Sequence, residues 1–209
     1  MRPRRPPNRL LTPEEYRAFE DASPVRHEFV GGRVYAMSGV RRPHSRISGN
    51  VFARLWTAAQ GGPCRVHHSE VKLRVGDDHY YPDVMVACGP EPDDDQIEDA
   101  PCLVVEVLSA STRRVDLTEK PAAYAKLPSL GLYLVLDQRR RLVELYRRGP
   151  AGQMQHAVLA GSGEVPLPCP ALTLTLDQIY AGLDLPEVPT RRVRERAPAY
   201  PRVRAADPR

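Results

Sequence analysis

Cys102-Leu103-Val104-Val105-Glu106-Val107-Leu108 is a near-continuous apolar run broken by a single carboxylate. Its length and β-branched content indicate a central strand covered on both sides. Side chains alternate along a strand, so Leu103, Val105 and Val107 share one face while Val104, Glu106 and Leu108 share the other. Glu106 therefore stands between two apolar neighbours on its own face. A buried carboxylate there escapes its desolvation cost by taking up a proton, by pairing with a cation or by binding a metal.

Working outward, Thr12-Pro13-Glu14-Glu15 carries the capping hydroxyl, the first-turn proline and the glutamate three residues on that open a helix, expected to run to about Glu20. Val25 to Val30 and Arg33 to Met37 flank Gly31-Gly32 and read as a hairpin. Ile47, Val51, Leu55 and Ala58/Ala59 recur at helical spacing over Pro43 to Gln60, and Gly61-Gly62-Pro63 ends that helix. Val71 to Val75 and Tyr80 to Cys88 read as a second hairpin about Gly76-Asp77-Asp78, and the acid-rich residues 89–101 as a surface loop. After the Glu106 strand come a helix near Thr118 to Leu127, strands at Gly131 to Asp137, Arg141 to Arg147, Gln153 to Leu159 and Leu172 to Leu176, and a short helix capped by Asp177. The expected fold is α/β, a mixed central sheet flanked by helices.

The 209 residues suit one domain, 42% being hydrophobic and 27% charged. A net charge of +4 invites a nucleic-acid reading, but four arginines lie in residues 1–10 and seven, against three acids, in residues 187–209, so the part between is net acidic. The division is a basic N-terminal arm over 1–10, a folded domain over 11–186 and an Arg/Pro-rich tail over 187–209, both ends reading as disordered. Cys64, Cys88, Cys102 and Cys169 are too few and too scattered for a disulfide framework, and no secretory leader precedes the domain, so a reduced, cytoplasmic protein is expected. No run approaches the roughly 18 to 20 apolar residues of a membrane span.

A second acid, Asp83, sits in Pro82-Asp83-Val84-Met85-Val86-Ala87 with Met85 and Ala87 expected on its own face, and Glu28 on the first hairpin is a third. Two or three carboxylates suit Mg2+ or Mn2+, hard ions that keep several waters and activate one for hydrolysis, most naturally of phosphodiesters. A lysine beside them would stabilise charge on the phosphate. Lysine is scarce, only Lys72, Lys120 and Lys126 among 30 basic residues, and Lys120 follows the Glu106 strand. Pro121 next to it is tolerable only if Lys120 lies in a first helical turn.

At these residues the chain resembles the Uma2 (DUF820) family, whose members look like PD-(D/E)XK restriction-endonuclease-type nucleases. The resemblance runs through Leu11-Thr12-Pro13-Glu14-Glu15-Tyr16, His27-Glu28-Phe29-Val30-Gly31-Gly32, Pro43-His44-Ser45, Tyr81-Pro82-Asp83-Val84, Val104-Val105-Glu106-Val107-Leu108-Ser109 and Asp116-Leu117-Thr118-Glu119-Lys120, covering roughly residues 11–183. It implies a restriction-endonuclease-like fold with Glu28, Asp83, Glu106 and Lys120 as catalytic residues, the three acids binding metal. Leu108 stands where such nucleases usually carry the lysine, and Lys120 takes that role by position. Glu70 falls where a family aspartate often stands and reads as a strand-end acid. His44, Ser109, Arg113 and Arg114 are the expected contacts to substrate phosphate.

Other chemistries find no anchor. Cys64, His67, His68 and His79 lack the Cys-x-x-Cys or His-x3–5-His spacing of a zinc site, and there is no Gly-x-Ser-x-Gly elbow, Walker loop or dinucleotide loop. Aromatics at 6% are few for a glycosidase. Two readings follow. The first is a metal-dependent endonuclease acting on nucleic acid, DNA foremost, as a monomer or a homodimer. The second is a non-catalytic nuclease-fold module that binds nucleic acid or a protein partner.

Overall fold

The computed structural model describes residues 9–37, 39–109 and 112–186, with Pro7 and Val188. Most of the two Arg-rich ends, and their expected disorder, lie outside the described residues. Helix α1 (Pro13–Asp21) opens on the expected capping box: Glu15 N–H donates to Thr12 Oγ1 at 3.2 Å and Thr12 N–H to Glu15 Oε2 at 2.9 Å. Strands β1 (His27–Val30) and β2 (Arg33–Ala36) pair antiparallel through Gly31 and Gly32, whose φ of 56° and 79° are those a two-residue hairpin turn demands. Helix α2 spans Arg42–Ala59.

The strands that follow are β3 (Arg65–His67), β4 (Lys72–Val75), β5 (Asp78–Tyr80), β6 (Val84–Ala87), β7 (Ile97–Glu98) and β8 (Leu103–Leu108). A π-helical turn (Val115–Glu119) runs into helix α3 (Lys120–Tyr124). Then come β9 (Leu132–Asp137), β10 (Leu142–Arg148), β11 (Met154–Ala160), β12 (Glu164–Leu167), β13 (Leu172–Thr175) and helix α4 (Leu176–Ile179).

The architecture is mixed α/β as expected, but in place of one central sheet there are two larger ones and a ribbon. A five-stranded sheet has the order β2-β1-β5-β4-β7, a six-stranded sheet the order β11-β10-β9-β8-β6-β3, and β12 pairs with β13. In the six-stranded sheet β8 and β9 run parallel and the other neighbours antiparallel. Strand β8 is buried along its whole length. Leu103, Val105 and Val107 join Ile47, Val51 and Leu55 of α2 and residues of α4 in one core, whereas Val104 and Leu108 join Tyr80, Tyr124 and Tyr133 in another. The alternation read from the sequence thus separates two cores, and Glu106 belongs on the aromatic side.

Several expectations need correction. The run Tyr80 to Cys88 is not one strand. Pro82 has no N–H to give a ladder, and around it the chain crosses from β5 in the first sheet to β6 in the second. Asp83 therefore stands at the mouth of β6 rather than inside a strand. The acid-rich loop contains β7, which pairs parallel with β4, and its Glu98 is buried against Arg65 at 2.9 Å. Thr175, not Asp177, caps α4, exchanging hydrogen bonds with Gln178 at 3.0 and 3.1 Å. The cysteines are not free: register Arg65↔Ala87 sets Cys64 beside Cys88, which are disulfide-bonded, and Cys102 is bonded to Cys169. The first pairing arises from sheet register and the second from the packing of the β12–β13 turn on the core beside β8, neither of which residue spacing reveals. Among the described residues no helix is long and apolar enough to cross a membrane.

Leu134, at the centre of β9, is fully buried beside Val105. Truncation to alanine removes three carbons from a close-packed layer, and Leu134→Ala is expected to lower unfolding free energy by about 2–5 kcal/mol, measured by urea denaturation.

Candidate active site

The chain's crossing at Tyr81–Asp83 brings the two sheets together, and the polar cluster forms at that junction. Glu28 comes from β1, with Oε1 accepting from Tyr81 N–H at 3.3 Å. Glu106 comes from β8, on the face that Tyr80, Tyr124 and Tyr133 also line. Asp83 Oδ2 accepts from Val107 N–H at 2.7 Å and lies 3.2 Å from His44 Nε2 of α2. Lys120, the first residue of α3, is only 2% exposed. Its Nζ lies 2.8 Å from Glu106 Oε1, 2.9 Å from Glu28 Oε1 and 3.1 Å from Asp116 Oδ1.

Four acids and one ammonium thus gather at the junction, Glu106, Asp116 and Lys120 buried and Glu28 and Asp83 half-buried. Tyr124 O–H donates to Glu106 Oε1 at 3.4 Å, and the Tyr80 ring lies 5.9 Å from Nζ. Burial pushes the Glu106 carboxyl well above its ordinary range; Lys120 opposes this, while Asp116, Asp83 and Glu28 reinforce it. Asp116 is raised for the same first reason, burial, with Lys120 again opposing. Burial pulls Lys120 down, but Glu106 and Glu28 more than offset it and its pKa is raised, so the ammonium holds its proton. One cation cannot neutralise four carboxylates, which reconciles raised acids with a raised lysine.

Lys120 reaches the cluster through its helical register. The sequence suggests a helix from Thr118; instead helical structure starts earlier and passes through a π turn whose Lys120 N–H bonds to Val115 O. A proline at 121 offers no N–H and crowds the carbonyl four residues back, so the wider turn just before it is its natural accommodation. The helix also ends at Tyr124 rather than Leu127. Asp116 was not singled out as a site residue; it stands one turn before Lys120 at the (i, i+4) spacing, the signal that marks the pair.

The expected substrate contacts are placed unevenly. His44 is in the cluster, buried against Asp83, and its Nδ1 has no hydrogen-bond partner among the described residues. Ser109 caps the turn after β8: its Oγ accepts from Thr112 N–H at 3.0 Å and lies 2.8 Å from Thr112 Oγ1. Arg113 is drawn to Asp137 at 3.3 Å, which Arg140 also contacts at 3.0 Å, and Arg114 pairs with Glu119 at 2.7 Å on the exposed side of the helix. Neither arginine meets the acids. Glu70 pairs with Arg26 at 2.6 Å and is exposed, as a strand-end acid should be.

The three-acid metal set does not converge. Among the described residues, no three carboxylate or imidazole ligand atoms here lie within 4.8 Å of one another. The Lys120 ammonium fills the space between Glu28, Glu106 and Asp116. Among the described residues, the polar contacts of Asp83 and Glu106 fall on Oδ2 and Oε1, and the Asp83 charge is close enough to raise the Glu106 carboxyl. Two carboxylates with water suit Mg2+, which seldom sits in an all-protein cage.

The model of the family Uma2, "Putative restriction endonuclease", matches residues 13–180. The uncharacterized protein slr1290 of Synechocystis sp. is 34% identical over 176 residues, spanning 83% of this chain and 93% of the relative. The uncharacterized protein sll1609 of the same organism is 29% identical over 145 residues, spanning 67% of this chain and 82% of the relative. The crystal structure of a "putative nuclease belonging to DUF820" from Anabaena variabilis ATCC 29413 superposes with TM-score 0.70 over 82% of this chain and 98% of its own, at 19% identity. That likeness speaks for the fold, which is restriction-endonuclease-like.

The raised Glu106 pKa has a thermodynamic consequence. The folded chain holds this proton more tightly than the unfolded chain, so its stabilising effect is full below the ordinary value of 4.5 and is lost as pH rises toward the raised value. The stability of wild type relative to Glu106→Gln should therefore fall as pH climbs above about 4.5, read from urea unfolding of both proteins across the pH range.

Proposed function

The chain belongs to the Uma2 family, and from that premise we propose that it is a Mg2+- or Mn2+-dependent endonuclease that hydrolyses phosphodiester bonds of nucleic acid, DNA before RNA. The observation that carries this reading is the buried Lys120 ammonium held against Glu106 and Glu28 beside Asp83. Asp83 and Glu106 would hold the ion. A bound divalent ion supplies a Lewis acid for a phosphoryl oxygen and lowers the pKa of a water.

The chain's own side chains divide the remaining work. Lys120 keeps its proton, so it serves as a fixed positive charge for the anionic transition state and not as a general base. Glu28 and Asp116 position that ammonium from two sides. His44 and the Val107 amide orient Asp83 from the α2 side and from β8. Arg114 is the stronger candidate for the phosphate backbone, since its pair with Glu119 is exposed and easily exchanged, whereas Arg113 is held by the buried Asp137. A homodimer would place two such sites on opposite strands of a duplex.

One observation favours the second reading, a non-catalytic nuclease-fold module: the Lys120 ammonium itself stands among Glu28, Glu106 and Asp116, where an ion bridging those acids would sit. Cleavage separates the two. With plasmid DNA and single-stranded RNA as substrates, Mg2+ or Mn2+ should support cleavage that chelation abolishes. Asp83→Asn and Lys120→Met should each lower the rate by about 10²–10³-fold. Undiminished cleavage in both variants would remove these residues from the chemistry, and no cleavage under any divalent ion would leave the binding module.

A further inference from the structure

All four cysteines of the chain meet at one place, although no two lie within twelve residues of each other. Cys64 follows the Gly61-Gly62-Pro63 turn after α2, Cys88 follows β6, Cys102 precedes β8, and Cys169 lies between β12 and β13. Because β6 and β8 are antiparallel, this is the end of the strand pair opposite to Asp83 and Glu106. Two independent disulfides would need only two pairs. Here the pairs touch: Cys88 Sγ and Cys102 Sγ are 3.5 Å apart, and the sulfurs of Cys88, Cys102 and Cys169 lie within 4.8 Å of one another.

Four thiolates around Zn2+ at about 2.3 Å stand about 3.8 Å apart along the edges of a tetrahedron. The contact between the two pairs is already of that size. Cys169 is buried and the other three are half-buried against the core of α2, β6 and β8, so the sulfurs are shielded from bulk water. Thiolates select soft or borderline ions over Mg2+. We propose that the reduced chain holds one Zn2+ between Cys64, Cys88, Cys102 and Cys169, as a closed structural site. Reduction of the two disulfides by an external thiol or phosphine delivers four electrons and four protons. Zn2+ then displaces the four thiol protons and binds four thiolates. The ion would tie the α2 turn, the two acid-bearing strands and the β12–β13 turn together at their common base. Spacing rules miss such a site because its ligands come from four separate elements, with none of the paired cysteines that mark a knuckle.

The test uses the full chain, reduced with a phosphine under inert gas and titrated first with Co2+, then with Zn2+. The expected result is one equivalent of Co2+ giving the thiolate charge-transfer and tetrahedral visible bands, displaced by Zn2+, with all four thiols protected from alkylation by bound Zn2+. The bands should persist in Asp83→Asn and disappear in Cys102→Ser. Thiol protection in the wild-type chain keeps the test independent of whether Cys102→Ser folds. Any of three results would overturn the proposal: no Co2+ uptake after reduction, uptake without thiolate bands, or thiols that alkylate equally fast with and without Zn2+. Disulfides that resist reduction until the chain unfolds would overturn it as well.

Discussion

A lysine ammonium buried among carboxylates from different parts of the chain is the contact on which this structure turns. Glu28 belongs to the first sheet, Glu106 to the second, and Asp116 to the helical turn that delivers Lys120. Removing one partner of such a cluster leaves an uncompensated buried charge, a far larger loss than the net worth of the intact pairing. The excess of acids over cations costs stability in the fold and, under the proposed function, is what a divalent ion would relieve. Those opposed consequences are usual at functional sites, where polar groups are held by surrounding structure in positions they would not choose alone.

The scaffold explains how the cluster is held. Behind Glu28, Glu20 accepts from His27 N–H at 3.1 Å and from Tyr81 O–H at 3.0 Å, and Tyr16 O–H donates to His27 O at 2.8 Å. These bonds tie α1, β1 and the inter-sheet crossing into one unit, so the backbone that presents Glu28 is braced on the side away from Lys120. Tyr133 O–H donates to Asp116 O at 3.0 Å and braces the π turn in the same way. The aromatic core on this face of β8 therefore both excludes water and supplies hydroxyls where backbone carbonyls need them.

Much of this was legible before any coordinates. A lone carboxylate in a buried apolar run identified Glu106, and alternation along β8 assigned its face correctly. Scarcity and position mark Lys120 as a group for the substrate phosphate; the structure pairs it with Glu28 and Glu106. The apolar neighbours of Asp83 suggest an embedded strand position, but it sits beside the site because the strand breaks at Pro82. The two-sheet arrangement was hidden because a chain crossing between sheets looks, in hydropathy, like a continuing strand. Strands β3, β7 and β12, of three, two and four residues, are too short to show a period, and their pairing depends on neighbours distant in sequence. Arg113 was placed at the site by proximity in sequence, which says nothing of Asp137 waiting on β9.

Under the proposed function, the acid excess at the sheet junction receives a divalent ion between Asp83 and Glu106. Anomalous diffraction from crystals soaked in Mn2+ tests it most directly. One anomalous peak is expected in contact with a carboxylate oxygen of each residue, with Lys120 still beside Glu28. A fully occupied Mn2+ elsewhere, with Asp83 and Glu106 unmoved and unliganded, would contradict it.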